Sequence, residues 1–319
     1  MMKLVSLAVF VGVSIAGGWS QVPANAPPAQ VEIPDWTEHY RNATISFGRV
    51  VSDEGHQIFQ VLGTGVIVAF DPHTGYIVTA KHIFDDPLQN WHPSELRVRF
   101  AWQEKRSIEE EHGLPVRLTD SSGRNLWTSS PDRSDLAALP VPDNFKGLPL
   151  HAIGFQDFAS PDDLYDGATI FVFGFPGAVG SLIGKERLVR AVTRGGVVAW
   201  TDPSGHMDNP FLIDANILPG NSGGPVFKVP TGIARSGGLV IGGRVAFLGI
   251  VTQDLKGYYF VQADGRIVLK QWPDLPLPSI EQVQVTGIGG LGKVEPAARV
   301  RRLVEALHRA SQTPASPVH

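Results

Sequence analysis

Short apolar runs separated by turn-forming residues follow one another along most of the chain. Aspartate, serine, proline and glycine cluster between the runs, which is typical of strands joined by tight turns. No helical pattern alternates with these runs, so a parallel βαβ fold is a poor match. The pattern therefore predicts a fold built mainly of β-strands. The runs lie at residues 43–51, 58–61, 65–70, 76–79, 96–102, 116–119, 137–141, 169–174, 187–200, 211–214, 225–228, 239–249, 250–253, 258–262 and 266–270.

A polar connection at residues 151–167 divides these strands into two sets. We expect one barrel at about residues 41–150 and a second at about residues 165–275, both within a domain of residues 41–278. A charged stretch at residues 103–111 has no apolar stripe and is predicted as a solvated loop or helical excursion.

The C-terminal segment, residues 279–319, differs from the strand pattern. Val300, Leu303, Val304 and Leu307 recur at helical spacing, with arginines on the rest of the wheel, which predicts an amphipathic helix. We expect its apolar side to pack on the preceding barrel. A peripheral contact of its basic side with a membrane is the alternative. The last nine residues, 311–319, are predicted to be disordered.

Residues 1–26 resemble a secretory signal. Lys3 supplies a positive start, residues 4–16 form an apolar run, and Ala-Asn-Ala at residues 24–26 offers a small-x-small cleavage site. Residues 16–18 are a second candidate for cleavage. An uncleaved anchor is the alternative, although the apolar run is short for a membrane span.

Residues 27–40 are predicted as an extended linker, with folded structure beginning near Trp36. The leader implies export, to a bacterial periplasm or to the outside of the cell. The chain has no cysteine, so its stability must come from core burial and not from disulfides. Its 43% apolar residues are enough to build such a core.

Composition also limits the classes of ligand. A formal net charge of −4 gives no broad electropositive field, so no nucleic acid is expected as a partner. The ten histidines are scattered and the acidic residues lack metal-loop spacing, so no metal is expected. Glycine pairs at residues 237–238 and 242–243 lack the strand–helix context of a phosphate loop, so no cofactor is expected either.

Candidate chemistry lies in three short segments. The hexapeptide at residues 220–225, Gly-Asn-Ser-Gly-Gly-Pro, offers Ser222 as a nucleophile. A serine hydroxyl needs a histidine to accept its proton and a carboxylate to orient that histidine. His82 follows the apolar run at residues 76–79, and Asp135 precedes the run at residues 137–141, with Asp132 as its nearest rival. The combination predicts a serine hydrolase.

The hexapeptide also satisfies the G-x-S-x-G pattern of an α/β-hydrolase elbow. That elbow requires a helix directly after the serine, whereas Pro225 and Val226 favour a strand. It also requires a later histidine, which leaves His308 or His319, both poor candidates.

The order His82, Asp135, Ser222 and the segments around them resemble chymotrypsin-like peptidases. Gly-Thr-Gly at residues 63–65, Thr-Ala-Lys-His at residues 79–82 and Ser-Asp-Leu-Ala at residues 134–137 are similar to that family's segments, with Lys81 as a departure. In the second half, residues 172–177, 193–198 and 214–224 resemble the bacterial HtrA/Deg peptidases. Asn221 precedes the serine as in those enzymes, so activation by a newly cut N-terminus is not expected. Only about 40 residues follow residue 278, so a stand-alone protease domain without a PDZ domain is expected.

The resemblance implies an all-β fold of two six-stranded antiparallel β-barrels with a C-terminal α-helix. It also implies His82 as general base and acid, Asp135 as its orienting group and Ser222 as the acylated nucleophile. The backbone N–H groups of Gly220 and Ser222 would form the oxyanion hole. The expected substrate-binding positions, with Thr252 also placed to support Asp135, are Asn216, Ile217, Thr252 and Gly257.

The function that follows is an exported serine endopeptidase acting on polypeptides. Asn216 and Ile217 lie where basic-specific enzymes place an acid, so a small or medium apolar P1 side chain is expected. Two alternatives stay open. One is a catalytically silent binding or scaffold protein with the triad disrupted by Lys81 or by the long loop that ends before Asp135. The other is an α/β-hydrolase esterase.

Overall fold

The computed structural model describes residues 36–53, 55–100, 112–177, 190–233, 239–241, 244–254, 257–261, 267–271, 283–284 and 291–312. Strands account for most of the regular structure in these ranges. The strands before residue 160 are β1 (Thr44–Asp53), β2 (His56–Asp71), β3 (Thr74–Ala80), β4 (Glu95–Phe100), β5 (Leu114–Arg117), β6 (Thr128–Ser129), β7 (Leu136–Pro140) and β8 (Ile153–Gly154). The later strands are β9 (Thr169–Gly174), β10 (Val192–Trp200), β11 (Phe211–Asp214), β12 (Pro225–Lys228), β13 (Thr231–Ile233), β14 (Leu239–Ile241), β15 (Ala246–Asp254), β16 (Gly257–Val261), β17 (Ile267–Gln271), β18 (Val283–Gln284) and β19 (Leu291–Pro296).

Within the described ranges, the strands are flanked by α-helices α1 (Trp36–Asn42), α2 (Lys81–Phe84) and α3 (Ala297–Gln312). Single 3₁₀ turns lie at Pro87–Gln89, Asp143–Phe145, Phe155–Asp157 and Pro161–Asp163. In the described ranges, no helix is long and apolar enough to cross a membrane.

The first eight strands form one sheet in the order β5-β4-β1-β2-β3-β7-β6, and β8 pairs in parallel with β2. The other pairings in this sheet are antiparallel. Its concave side encloses a core of fully buried aliphatic and aromatic side chains, among them Ile45, Phe47, Ile77 and Phe100. The first half is therefore a curled eight-stranded sheet and not a six-stranded barrel.

The second half is a closed barrel in the order β10-β11-β19-β15-β12-β9. Alternate residues of these strands point inward, so that Val172, Ile213, Val251 and Val294 meet in its core. The predicted all-β fold of the chymotrypsin type, with a C-terminal helix, is confirmed.

The sixth strand of the barrel does not come from the predicted range. Strand β19 follows residue 278 and closes the barrel by pairing with both β11 and β15. The predicted strands near residues 258–262 and 266–270 instead form a separate sheet, β17-β16-β18. In β19 the only aliphatic side chains are Leu291 and Val294, set among Gly, Lys, Glu and Pro, so the local pattern is too weak to identify it.

Helix α1 occupies part of the predicted linker. Trp36 stacks on Phe171 at 5.6 Å between ring centroids, and Tyr40 stacks on Phe227 at 4.4 Å. Because positions i and i+4 lie on one face of a helix, both rings anchor α1 to the second barrel. Residues 36–40 are thus helical, while the signal at residues 1–26 and the start of the linker lie outside the described residues.

Helix α3 packs as predicted for its apolar side. Val300, Leu303 and Val304 are fully buried in a cluster that also contains Val78 and Leu136 of the first sheet and Phe173 of the second barrel. Farther along, His308 stacks on Phe70 at 3.8 Å. The helix therefore contacts both halves of the fold. It continues to Gln312, beyond the start predicted for the disordered tail at residue 311, and residues 313–319 lie outside the description.

Candidate active site

His82 and Asp135 are joined by two hydrogen bonds. The Nδ1 atom of His82 lies 2.7 Å from Oδ2 of Asp135, and the backbone N–H of His82 donates to Oδ1 at 3.0 Å. A carboxylate only accepts hydrogen bonds, so the pair holds the proton on Nδ1 and leaves Nε2 as the basic nitrogen. Both side chains are about one third exposed, at 34% each. The imidazole is thus oriented while one edge still reaches solvent.

Local chain geometry creates this pair. Strand β3 ends at Ala80, and the chain turns directly into the short helix α2, which places His82 in its first turn. The Lys81 N–H donates to the Asp135 carbonyl at 3.1 Å, next to the point where β3 pairs with β7. The backbones that carry the two side chains are therefore tied together independently of the side chains.

Lys81 does not disturb the pair. Its ammonium lies 2.5 Å from Oδ2 of Asp85 one helical turn later, and the other carboxylate oxygen of Asp85 lies 2.6 Å from Nδ1 of His92. The hydrogen bond from Lys81 lowers the pKa of the Asp85 carboxyl, against the opposing effect of burial. The charge of the unusual lysine is accordingly matched by Asp85 and not by Asp135.

Ser222 lies in a tight turn between β11 and β12. Asn221 N–H donates to the Leu218 carbonyl at 3.0 Å, and Gly224 N–H donates to the Asn221 carbonyl at 2.8 Å. Gly220 and Gly223 have φ values of 97° and 86°, which side chains with a Cβ rarely adopt. Strand β12 follows the turn, so the helix required by the α/β-hydrolase elbow is absent there and the esterase interpretation is wrong.

The first sheet supports this turn directly. Thr64 in β2 donates its backbone N–H to the Ser222 carbonyl at 2.8 Å and its hydroxyl to the Gly220 carbonyl at 2.7 Å. The same hydroxyl accepts from the Phe175 N–H at 3.0 Å. Thr64 therefore joins the two halves at the candidate site.

Gly63 marks where the histidine and serine segments meet. A Cβ at this position would lie 2.4 Å from Cδ1 of Ile83 and 3.2 Å from the Ser222 carbonyl oxygen. Ile83 directly follows His82, so the two segments approach each other over one glycine. In the described part of the chain, no hydrogen bond joins the Ser222 hydroxyl to the His82 ring.

Two backbone donors at the Ser222 turn have no acceptor among the described residues. The Pro219 carbonyl accepts from Gly177 N–H at 3.1 Å, and the Asn221 carbonyl is held by Gly224. Because C=O and N–H point in opposite directions across a trans peptide, these bonds direct the N–H groups of Gly220 and Ser222 the other way. Neither N–H donates to an acceptor within the described ranges. They are thus available to an external anion.

Asp132, the rival acid, faces away from His82. Its Oδ2 atom lies 3.3 Å from Nε of Arg299 and 3.7 Å from Nη2 of Arg302, both in α3. Of the two candidate carboxylates, only Asp135 meets the histidine.

The predicted substrate-binding residues have mixed outcomes. Asn216 is exposed and has a left-handed φ of 50°. Ile217 is only 3% exposed and packs in the core of the second barrel, so its side chain is structural. The Thr252 hydroxyl is buried and bonds to no described residue, so the expected bond to Asp135 is not formed. Gly257 begins β16, outside the barrel.

The strand that lies beside Thr252 is one that the sequence pattern missed. Gln253 and Asp254 at the end of β15 pair with Lys293 and Gly292 of β19. A Cβ at Gly292 would lie 2.5 Å from Cγ1 of Ile217, so this strand borders the segment that leads to Ser222.

The sequence analysis did not assign Thr64 its role in supporting the serine turn. Its place between two glycines in a strand was a usable signal. Among the described residues, no group of three or more His, Cys, Asp or Glu side chains is arranged to hold a metal.

Comparison with known families places the chain. The trypsin-like peptidase domain family matches residues 63–233, more than half of the chain, and the chain belongs to that family. Among curated proteins it is similar to the serine protease Do-like HtrA of Bacillus subtilis, with 27% identity over 191 residues. The match covers 57% of this chain and 34% of that protein, so the chain spans about a third of the relative's length.

Two solved structures align with the chain at low sequence identity. The serine endoprotease from Yersinia pestis has 17% identity and a TM-score of 0.42, with 86% of this chain and 66% of that chain covered. The inactive form of Rv3671c from M. tuberculosis, a serine-to-alanine mutant, has 16% identity and a TM-score of 0.43, with 92% and 98% covered.

Proposed function

We propose that this protein is a serine endopeptidase that cleaves polypeptides through His82, Asp135 and Ser222. The observation that carries the proposal is the doubly hydrogen-bonded pair of His82 and Asp135, which leaves Nε2 basic. The turn that presents Ser222 and the segment that contains His82 approach each other over Gly63. Membership of a peptidase family agrees with this assignment.

In the proposed reaction, Nε2 of His82 removes the hydroxyl proton as the Ser222 Oγ attacks the scissile carbonyl. The carbonyl oxygen becomes an oxyanion, which the N–H groups of Gly220 and Ser222 would stabilise by hydrogen bonds. The protonated imidazole then gives its proton to the leaving amine, and the C–N bond breaks to leave an acyl-enzyme. A water molecule, deprotonated by His82, attacks the ester and restores the free serine.

Asp135 would act through electrostatics. It holds the tautomer with the proton on Nδ1, and its negative charge stabilises the imidazolium that forms during attack. The carboxylate itself stays ionised throughout.

For specificity we propose a small or medium apolar P1 side chain. Neither Asn216 nor Ile217 supplies a carboxylate, which a basic side chain would require. The two charged residues of β19, Lys293 and Glu295, form an ion pair with each other at 2.9 Å.

For localisation we propose export to a bacterial periplasm or to the outside of the cell, which the leader at residues 1–26 supports. An uncleaved leader would be the source of any membrane contact.

The second candidate is a catalytically silent protein that binds polypeptides with the same fold. It is favoured by one observation, the lack of a hydrogen bond between the Ser222 hydroxyl and His82 in the described residues. Catalytic hydrogen bonds are often long in the absence of substrate, so the observation does not remove the first candidate.

A fluorophosphonate probe distinguishes the two. We expect the folded protein to be labelled at Ser222 and to cleave members of a proteome-derived peptide library, with both signals lost in Ser222→Ala. Peptide capture without labelling or cleavage would favour the silent protein. Labelling that persists in Ser222→Ala would show that the nucleophile is another residue.

A further inference from the structure

The loop that carries Asp135 is organised from inside by Asp132. Oδ1 of Asp132 accepts from the Ser130 hydroxyl at 2.7 Å and from the Ser134 N–H at 3.0 Å. Between them, Arg133 has a left-handed φ of 60°, an unfavourable conformation for a residue with a Cβ. The loop therefore needs Asp132 to keep its shape.

The other oxygen of Asp132 faces helix α3. Oδ2 lies at ion-pair distance from Arg299 and Arg302, without a hydrogen bond from the buried Nε of Arg299. Arg302 also pairs with Asp208 of the second barrel at 2.5 Å. Asp132 thus joins the loop before Asp135 to helix α3, and Arg302 in turn links that helix to the second half of the fold.

Arg299 is held in place by a buried acid. Its Nη1 atom donates to Oε2 of Glu295 at 2.7 Å, and Glu295 has no exposed surface. Lys293 pairs with the other oxygen of Glu295 at 2.9 Å. Since Arg299 is itself only 18% exposed, its guanidinium has little freedom to leave Asp132.

The position of Asp135 depends on its backbone, which the pairing of β3 with β7 holds on one side and the loop at residues 130–134 holds on the other. In the described residues, its side chain is bonded only to His82, and the buried hydroxyl of Thr252 does not reach it. The backbone of residues 130–135 must therefore fix where the carboxylate lies. A chain of contacts runs from Glu295 through Arg299 and Asp132 to that backbone.

We propose that Asp132 and Arg299 are a positioning pair, through which helix α3 holds Asp135 in register with His82. This inference rests on the proposed function, and it adds two residues that never touch the substrate. Although burial by itself would raise the pKa of Asp132, hydrogen bonds from Ser130 and Ser134 and the charge of Arg299 lower it to about 2. Asp132 is therefore ionised throughout the working range of a histidine base.

The test uses the full chain and four variants. Asp132→Asn keeps an acceptor for Ser130 and Ser134 but removes the charge, Arg299→Gln removes the cation, and Arg299→Lys restores a cation. Arg301→Gln is the matched control, because Arg301 lies on the same helix but donates to the Phe155 carbonyl at 3.0 Å. The probes are a cleaved library peptide and the downfield proton NMR signal of the Nδ1–H of His82.

We expect Asp132→Asn and Arg299→Gln each to lower kcat about tenfold with KM unchanged, and the double variant to lose no more than either single one. The acid limb of the kcat/KM profile should move to lower pH, because a displaced Asp135 supports the imidazolium less well. The downfield signal should weaken in both variants, and Arg299→Lys should recover part of the rate. Arg301→Gln should match the unmodified protein.

Three outcomes would overturn the inference: unchanged kcat, unchanged acid limb, or fully additive losses. If Arg299→Gln fails to fold, the comparison of kcat and the acid limb between Asp132→Asn and the control Arg301→Gln decides whether the inference holds. If the unmodified protein shows no cleavage and no probe labelling, the proposed function fails. The NMR signal then still reports whether Asp132 and Arg299 position Asp135.

Discussion

His82 and Asp135 are held together by side-chain hydrogen bonds, whereas the turn that carries Ser222 is held by its backbone. On the first sheet, one carboxylate takes both donors of His82. On the second barrel, the carbonyls of Pro219 and Asn221 are bonded so that two N–H groups face outward. The His82–Asp135 region depends on charge and the Ser222 turn depends on backbone conformation. Removing a charge should therefore affect the first most, and adding a Cβ should affect the second most.

The largest expected effect is in the region that depends on charge. Asp135→Asn keeps the size of the side chain but supplies an amide that no longer fixes the tautomer of His82 or stabilises its cation. We expect kcat to fall about 10⁴-fold with little change in folding. Steady-state kinetics on a library peptide measures this fall.

The matched control is Asp143→Asn, since that aspartate is 89% exposed and pairs only with Lys146 among the described residues. Its kcat should be unchanged. A loss of less than about tenfold in Asp135→Asn would mean that the carboxylate has no catalytic part.

A smaller effect is expected in the region that depends on backbone conformation. In Gly220→Ala the new Cβ would lie 2.4 Å from the Phe175 carbonyl oxygen at a φ of 97°, so the turn must rearrange. Because the Gly220 N–H would move with it, we expect kcat/KM to fall about 10²- to 10³-fold.

The control Gly205→Ala introduces the same backbone strain as Gly220→Ala but no steric clash that would displace a turn. Gly205 also has a left-handed φ, at 71°, but no atom lies within 4 Å of its Cβ position. It should lose about 1–2 kcal/mol of unfolding free energy and no activity. Equal kinetic losses in the two variants would contradict the assignment of Gly220 to the oxyanion hole.

The residues that these variants test were mostly predictable from the sequence. His82, Asp135 and Ser222 each stand in a short segment with its own local signal, and the strand after Ser222 follows from Pro225 and Val226. The choice between Asp132 and Asp135 also follows from the apolar run after Asp135. Local sequence therefore carries most of the proposed chemistry.

Features that depend on distant partners were not predictable. Strand β19 has a weak pattern of its own and is fixed by pairing with β11 and β15. Ile217 seemed a pocket residue from its position alone, but the barrel interior buries it. The pairing of Asp132 with Arg299 requires the packed position of α3, which no local spacing specifies.

Thr64 gives the smallest expected effect and joins the first sheet to the serine turn. Its hydroxyl donates to the Gly220 carbonyl and accepts from the Phe175 N–H, and the side chain is fully buried. Thr64→Val keeps the shape but leaves the Phe175 N–H without its acceptor, which should cost about 1–3 kcal/mol of unfolding free energy. The released Gly220 carbonyl loosens the turn, so we expect kcat/KM to fall about tenfold.

Thr44→Val is the control that makes this result interpretable. Thr44 is equally buried and its hydroxyl donates to the Tyr40 carbonyl at 2.9 Å, in helix α1 and away from the turn. Urea unfolding should show a loss of about 1 kcal/mol with kcat/KM unchanged. If both variants lose stability and neither loses activity, the first sheet only supports the serine turn as structure. If only Thr64→Val loses activity, the Thr64 hydroxyl fixes the conformation of the serine turn that activity requires.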